Sequence, residues 1–321
     1  MAQKKIQHYV PQNYLKGFSD DTNIGVFQID DEFFYPQKGI KKQAQKSYFY
    51  TKITDLEDCL SEAENIFARN RKTIKENPYQ ELTLDQKDLL YQDMFLQMIR
   101  VPELANQYNE MVNDYAHGIW KQSKDENIRK NAHKFDAKFE NAIIPAMMSA
   151  LQQCGNCRNL KAKLLINKTN HSFITSDNPV VLNNSLMEYN GNYSYGLNSS
   201  GLQIFYPLFP QLGVIYYDEK VYKVGLNKQN VIDIKNESDV YMLNCWIMVN
   251  ATNNIYFDKS ISESYIRYIY AYAKKHRQIQ KREETKIEID SKQSLVIARY
   301  IHPHFSFRQT YIKLLDKYKK I

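Results

Sequence analysis

The sequence predicts an α+β protein: a mixed, mainly antiparallel sheet with a helical block packed on one side. Three observations carry this. Residues 55–153 place apolar side chains at helical spacing almost without interruption. Ahead of them, Asn23–Asp30 alternates like a strand, with Glu32–Tyr35 and Ser47–Tyr50 as further short strands, enough for a small antiparallel sheet. Behind them, from Gly155, the pattern shifts to short runs rich in Val, Ile, Phe and Tyr bounded by Asn, Gly and Pro.

Each element has its own signal. In His8–Ser19, Pro11 suits the first position of a helix, where its missing N–H is no loss. That helix presents Tyr14, Leu15 and Phe18 on one face and stops near Gly17–Ser19. His8 then sits just ahead of backbone N–H groups that favour an anion. From Asp55, Leu56, Leu60, Ala63, Phe67 and Ile74 share a helical face, and Asn77-Pro78 ends the run. Thr83 and Gln86 have the spacing of a capping box for the next helix, which Pro102 ends or bends. Glu103–Trp120 and Asp125–Gln153 continue the helical pattern, giving a block of three to five helices.

Strands are expected at 162–167, 172–175, 180–182, 203–206, 212–217 and 222–224. The Asn/Ser/Gly/Tyr-rich loop Asn183–Gly201 is long for a compact domain, the kind that carries function or moves. Glu237–Ala251 and Ile261–Lys275 return to helix, with Ser238 as a capping candidate and Trp246 on an apolar face. Then comes the basic segment Lys274–Arg282, with Lys274, Lys275, Arg277, Lys281 and Arg282 as candidate nucleic-acid contacts, expected to be exposed and helical or mobile.

With 43% hydrophobic and 13% aromatic residues the chain has ample material for a core, so wholesale disorder is excluded. Its 43 basic and 36 acidic residues leave a net charge of +7. That mild excess is compatible with a phosphate-bearing partner and equally with solubility alone. No stretch approaches the ~18 consecutive apolar residues that span a bilayer. Met1–His8 carries no apolar run or cleavage site, so no membrane association and a cytoplasmic location are expected. Cys154-Gly155-Asn156-Cys157 lacks the second pair that a zinc ribbon needs, and it follows a helical run where a thioredoxin motif follows a strand. It reads as a helix-to-strand turn. P-loop, dinucleotide, H-E-x-x-H and G-x-S-x-G fingerprints are all missing.

In Thr175-Ser176-Asp177-Asn178-Pro179, Asn178 precedes a proline and is held extended. Asp177 is left at a strand end, where catalytic carboxylates often sit; the structural alternative is a turn in which Asp177 or Ser176 bonds to loop backbone. Gln97 and Arg100 are three apart and share a helical face. Arg100 either meets a substrate phosphate beside His8 or pairs with Glu64 or Asp177 to hold the helices to the sheet. His302-Pro303-His304 looks like a metal pair that its proline restricts.

Four of these stretches, His8–Ser19, Gln97–Pro102, Phe173–Val180 and Tyr206–Pro210, resemble the domain-of-unknown-function family 4238 over roughly residues 5–260. The resemblance supplies candidate positions and no activity. It also suggests an organisation in which 1–260 form a family-like core, with its helical block at 55–153 and sheet-rich part at 160–225, and 261–321 form a basic extension packed on or beside it.

Two functional readings follow. One is a nuclease-like hydrolase of a phosphodiester substrate, RNA, DNA or a nucleotide. There His8 acts as acid or base and Asp177 as its partner; Gln12, Tyr14, Gln97, Arg100 and Asn178 contact substrate. A divalent metal would fall to Asp177 and Glu64. The other is a non-enzymatic module that binds nucleic acid or a protein partner, with the opening motif as a structural lock in which His8 is hydrogen-bonded to Asp177, and Tyr14 and Phe18 are buried. The first requires His8, Gln12, Arg100 and Asp177 to converge.

Overall fold

The computed structural model describes residues 6–50, 54–186, 196–226, 229–277, 281–290, 293–301 and 309–318. The first fifty residues form β1 (Ile6–His8), α1 (Gln12–Leu15) with a 3₁₀ turn to Phe18, β2 (Asn23–Gln28), β3 (Phe33–Gly39) and β4 (Gln45–Ser47). Five helices follow: α2 (Thr54–Glu76), α3 (Leu84–Ile99), α4 (Pro102–Lys121), α5 (Glu126–Asn131) and α6 (Ile143–Leu151). The capping box of α3 is present, with Thr83 Oγ1 accepting from the Gln86 N–H and Gln86 Oε1 from the Thr83 N–H.

The run expected to be helical over 125–153 is broken. Between α5 and α6 the N–H groups of Ala137 and Phe139 donate to the side chains of Asn113 and Asn109 on α4, both at 2.8 Å. Side-chain acceptors on a neighbouring helix have replaced the helical carbonyls there.

Beyond the block come β5 (Lys161–Asn167), β6 (Thr175–Ser176), β7 (Val181–Asn183), β8 (Gln203–Phe209), β9 (Leu212–Tyr217), β10 (Tyr222–Val224) and β11 (Val231–Ile234). After these are α7 (Glu237–Asn250), β12 (Asn254–Phe257), α8 (Glu263–Arg277), β13 (Lys281–Asp290), β14 (Gln293–Ile301) and β15 (Ile312–Leu314). The class is α+β with mostly antiparallel pairing. A five-stranded sheet runs β11-β5-β9-β8-β7, with β11 parallel to β5 and the other neighbours antiparallel.

The N-terminal strands do not join this sheet. β1 and β4 pair with each other, and β2 and β3 enter a second, antiparallel sheet of order β3-β2-β12-β6. Within that sheet β12 lies between β2 and β6, with Ile255, Tyr256 and Phe257 buried. Its insertion needs Gly25, which lies opposite Phe257; a Cβ there would fall 2.1 Å from the ring.

The five-stranded sheet is buried on both faces, which is why β8 and β9 read as continuous apolar runs and not as alternation. Leu164, Ile204, Tyr206 and Val214 pack with Leu90, Met94 and Met147 of the helical block. Leu165, Phe205 and Ile215 pack on the opposite face with Leu243 and Trp246 of α7 and with Ile266 of α8. The expected block on one side is therefore present, and α7 and α8 cover the other. The cap of α7 is Asn236, whose side chain accepts from the Ser238 N–H at 3.0 Å.

Past residue 260, the Tyr270 ring of α8 packs tilted against Phe27 with centroids 5.2 Å apart, and β15 pairs with β10. Lys274 and Lys275 are exposed on the last turn of α8, and Lys274 is ion-paired to Glu32 at 2.6 Å. Arg277 ends that helix, residues 278–280 lie outside the described set, and Lys281 and Arg282 open β13, so the basic segment passes from helix to strand. The His302–His304 motif and residues 187–195 of the long loop also lie outside it. Among the described residues no helix is long and apolar enough to cross a membrane.

Candidate functional site

The helix α1 is too short to persist alone, since a four-residue turn cannot recover the cost of nucleation. Its surroundings hold it. Pro11 caps it from just outside, and its carbonyl accepts from the N–H groups of Tyr14 and Leu15. Tyr14 is buried, and its hydroxyl donates to the Pro207 carbonyl at 2.6 Å while Thr175 Oγ1 lies 2.7 Å away. The phenol has one proton to give, so Thr175 is the donor in the second bond. The Tyr14 ring stacks on Tyr206 at 5.3 Å, and burial raises its hydroxyl pKa far above the usual phenol range. Gly17 closes the turn against Phe209, where a Cβ would meet the ring at 3.0 Å. Tyr14→Phe is expected to cost about 1–3 kcal/mol, because the Pro207 carbonyl loses its donor in a dry site; urea unfolding of the purified variant measures it.

On the other flank stands the end of α3. Arg100 is 2% exposed, and every arm of its guanidinium is engaged. Nη2 donates to the His8 carbonyl at 2.7 Å, Nη1 to Glu64 Oε1 at 2.6 Å and Nε to the Tyr50 hydroxyl at 2.8 Å. Gln97 donates to the Tyr9 carbonyl at 3.1 Å. Of the alternatives read for Arg100, pairing with Glu64 is the one present.

His8 is half-buried in a cleft of about 380 Å³ lined by Gln12, Lys16, Glu57, Glu64 and Arg100. Its Nε2 donates to the Lys41 carbonyl at 3.2 Å, and the Gln12 amide lies within 3.5 Å of both ring nitrogens. Burial lowers its pKa, outweighing the Lys41 carbonyl and the charge of Glu64, so the ring is neutral near pH 7.

Asp177 and Asn178 belong to a different set of contacts. The buried Asp177 carboxylate accepts three backbone N–H groups of the turn joining α7 to β12. These are Thr252 on Oδ1 at 2.8 Å, and Asn253 and Asn254 on Oδ2 at 2.8 and 2.9 Å. Asn178 donates to the Asn250 carbonyl at 3.1 Å, and Asn250 donates back to the Asn178 carbonyl at 2.8 Å. Ser176 Oγ accepts from the Asn178 N–H at 3.1 Å, the local turn expected for this motif.

The structure thus gathers His8, Gln12, Glu64 and Arg100 around one cleft, with Gln97 and Tyr14 in the packed wall behind it. Asp177 and Asn178 are bound into the α7–β12 turn. Of the two candidate metal ligands, Glu64 faces Arg100 and Asp177 faces backbone donors. Among the described residues no group of three or more His, Cys, Asp or Glu is placed to hold a metal.

All four motif stretches touch through α1 and its entry. The family described as "Protein of unknown function (DUF4238)" matches residues 6–260. The chain belongs to that family. Neither the curated proteins nor the solved structures contain a match to it. In this DUF4238 chain, sequence reasoning missed the buried pair Arg71–Asp93 at 2.5 Å, whose arginine also donates to Asn13 at 3.2 Å and lies over the Tyr14 ring. The signal was available. Asp93, Gln97 and Arg100 follow one another at i, i+4, i+7 beside Leu90, Met94 and Ile99 of α3, and Arg71 lies between Phe67 and Ile74 on the apolar face of α2.

Proposed function

We propose that the chain is a binding module for a nucleic-acid or nucleotide partner, in which the shared motifs lock the fold and do not react. The observation that carries this choice is where two charges are committed. Arg100 gives its guanidinium to a carbonyl, a carboxylate and a phenol, and Asp177 gives its carboxylate to three backbone N–H groups. A composite hydrolase needs both ends turned toward a substrate. The cleft beside His8 also gives a phosphate little to hold, because Arg100 is already paired with Glu64 there and Glu57 adds a second carboxylate to the lining. Support for a phosphate-bearing partner comes from the net charge of +7 and from exposed lysines over the surface.

One observation favours the hydrolase instead. His8 is neutral near pH 7 and half-buried in a cleft with carboxylates, so it has the chemistry of a general base. Wild type and His8→Gln are to be incubated with labelled RNA, DNA and nucleotides, with and without divalent metal. The expected result is salt-dependent binding by both and turnover by neither. Turnover by wild type that His8→Gln abolishes, with unfolding unchanged, would give the site to the hydrolase.

The same variant tests the ring's protonation. The folded-state pKa of His8 lies below the unfolded value of about 6.5, so the unfolded chain takes up the proton first. Its contribution is fully present above about pH 6.5 and declines as pH falls toward the folded pKa. His8→Gln is expected to flatten that part of the fall in melting temperature between about pH 7.5 and 5.5.

A further inference from the structure

A cleft of about 900 Å³ opens where the β10–β15 pair meets β11, the edge strand of the five-stranded sheet. Its wall includes Lys223, Lys235, Lys313, Tyr79, Leu226 and Ile232. Lys223 and Lys313 are register partners, directly opposite each other across the antiparallel pair, and both are exposed. Like charges in that position repel and weaken the pairing. Among the described residues neither lysine has an ion-pair partner, and neither has Lys235, which follows β11 on the same wall. Of the carboxylates on that wall, Asp233 accepts the Tyr79 hydroxyl at 2.7 Å, and Glu81 is exposed.

A further cation lies behind the wall. Lys163 is 3% exposed, and its ammonium donates to the Val224 and Leu226 carbonyls, both at 2.6 Å. No carboxylate among the described residues neutralises it. A buried cation held by carbonyls alone keeps a positive potential on the adjacent surface, where water screens it poorly. The rest of the wall mixes polar residues, among them Gln229, Asn230 and Thr310, with an apolar and aromatic side of Tyr79, Leu226 and Ile232. Tyr79 is exposed with its hydroxyl anchored, and Leu226 is 63% exposed.

We propose that this cleft binds a nucleotide unit, free or at the end of a strand, with its phosphate bridging Lys223 and Lys313 and its base against Tyr79 and Leu226. An anion between the two lysines removes their repulsion, and a base covers the apolar side that water now meets. The inference rests on the reading of the chain as a binder of phosphate-bearing partners and gives that reading a location. That location is distinct from the end of α8, where Lys274 already has Glu32.

The test is equilibrium binding of a fluorescent adenine nucleotide, of short single-stranded RNA and DNA, and of inorganic pyrophosphate as competitor. The proteins are wild type, the double variant Lys223→Gln/Lys313→Gln, Tyr79→Ala, and the double variant Lys274→Gln/Lys275→Gln. The cleft variant is expected to bind nucleotide or strand at least tenfold more weakly. Its log-log salt slope on single strands should shrink by about 0.7, the loss of the one bridged phosphate. Its melting temperature should hold or rise as the like-charge pair is removed, which separates lost binding from lost folding. Tyr79→Ala should weaken nucleotide binding by about tenfold and leave pyrophosphate unchanged.

Binding of free nucleotide assigns the cleft to nucleotides, and binding of strands alone assigns it to strand ends; both support the proposal. Wild-type affinity in the cleft variant, or loss confined to the Lys274/Lys275 variant, overturns the location and leaves the binding module standing. Pyrophosphate bound as tightly as nucleotide, with Tyr79→Ala silent, overturns the nucleotide class. Absence of binding by wild type to every probe overturns both readings.

Discussion

Arg100→Met is expected to destabilise the protein by about 3–5 kcal/mol, the cost of removing one partner from a buried ion pair. The loss is not that of a single bond. Glu64 is left with a carboxylate facing a methionine, and the His8 carbonyl and the Tyr50 hydroxyl each lose a donor beside it. The double variant Arg100→Met/Glu64→Met should recover part of the loss, since it no longer strands a charge. Denaturant unfolding of the two variants measures both numbers. A single variant within about 0.5 kcal/mol of wild type, the range of ordinary surface changes, would remove the clasp from this account.

Asp177→Asn is the second large effect, expected on the order of 3 kcal/mol. An amide offers one acceptor oxygen where the carboxylate offers two, and its NH₂ must face at least one backbone N–H. The orientation that keeps Asn253 and Asn254 bonded turns the NH₂ toward Thr252. Thermal unfolding gives the magnitude, and hydrogen exchange gives the place, with faster exchange at Thr252 to Asn254. A catalytic carboxylate behaves the other way. Its neutralisation commonly leaves stability level or raises it, so an unchanged or higher melting temperature would return Asp177 to the reacting groups.

Much of the fold was legible because periodicity is a local property. Leu56 to Ile74, the Thr83–Gln86 box and the apolar runs of β8 and β9 each state their own conformation. What was not legible is which strand lies beside which. Residues 254–257 carry three apolar side chains after a helix, and nothing nearby says that they separate β2 from β6. The site divides along the same line. His8, Arg100 and Asp177 were picked out because they lie in the motif stretches that carry the family resemblance. Whether Arg100 faces a ligand or Glu64 depends on the turn of α2 relative to α3, which no local pattern encodes. Lys223 and Lys313, 90 residues apart, become a pair only through the β10–β15 register.

The reach of the Tyr14 contacts has a consequence during synthesis. Thr175 and Pro207 lie 161 and 193 residues further along the chain. At about 5–20 residues per second, a ribosome needs roughly 10–40 s to deliver Pro207 after Tyr14. Throughout that interval Tyr14, Leu15 and Phe18 have none of their β8 partners, and a stretch this apolar is open to association with other nascent chains or to capture by chaperones. A segment made well before β8 is therefore secured only after it, and defects in it should surface as lower soluble yield at fast translation rates before they appear in the behaviour of the purified protein.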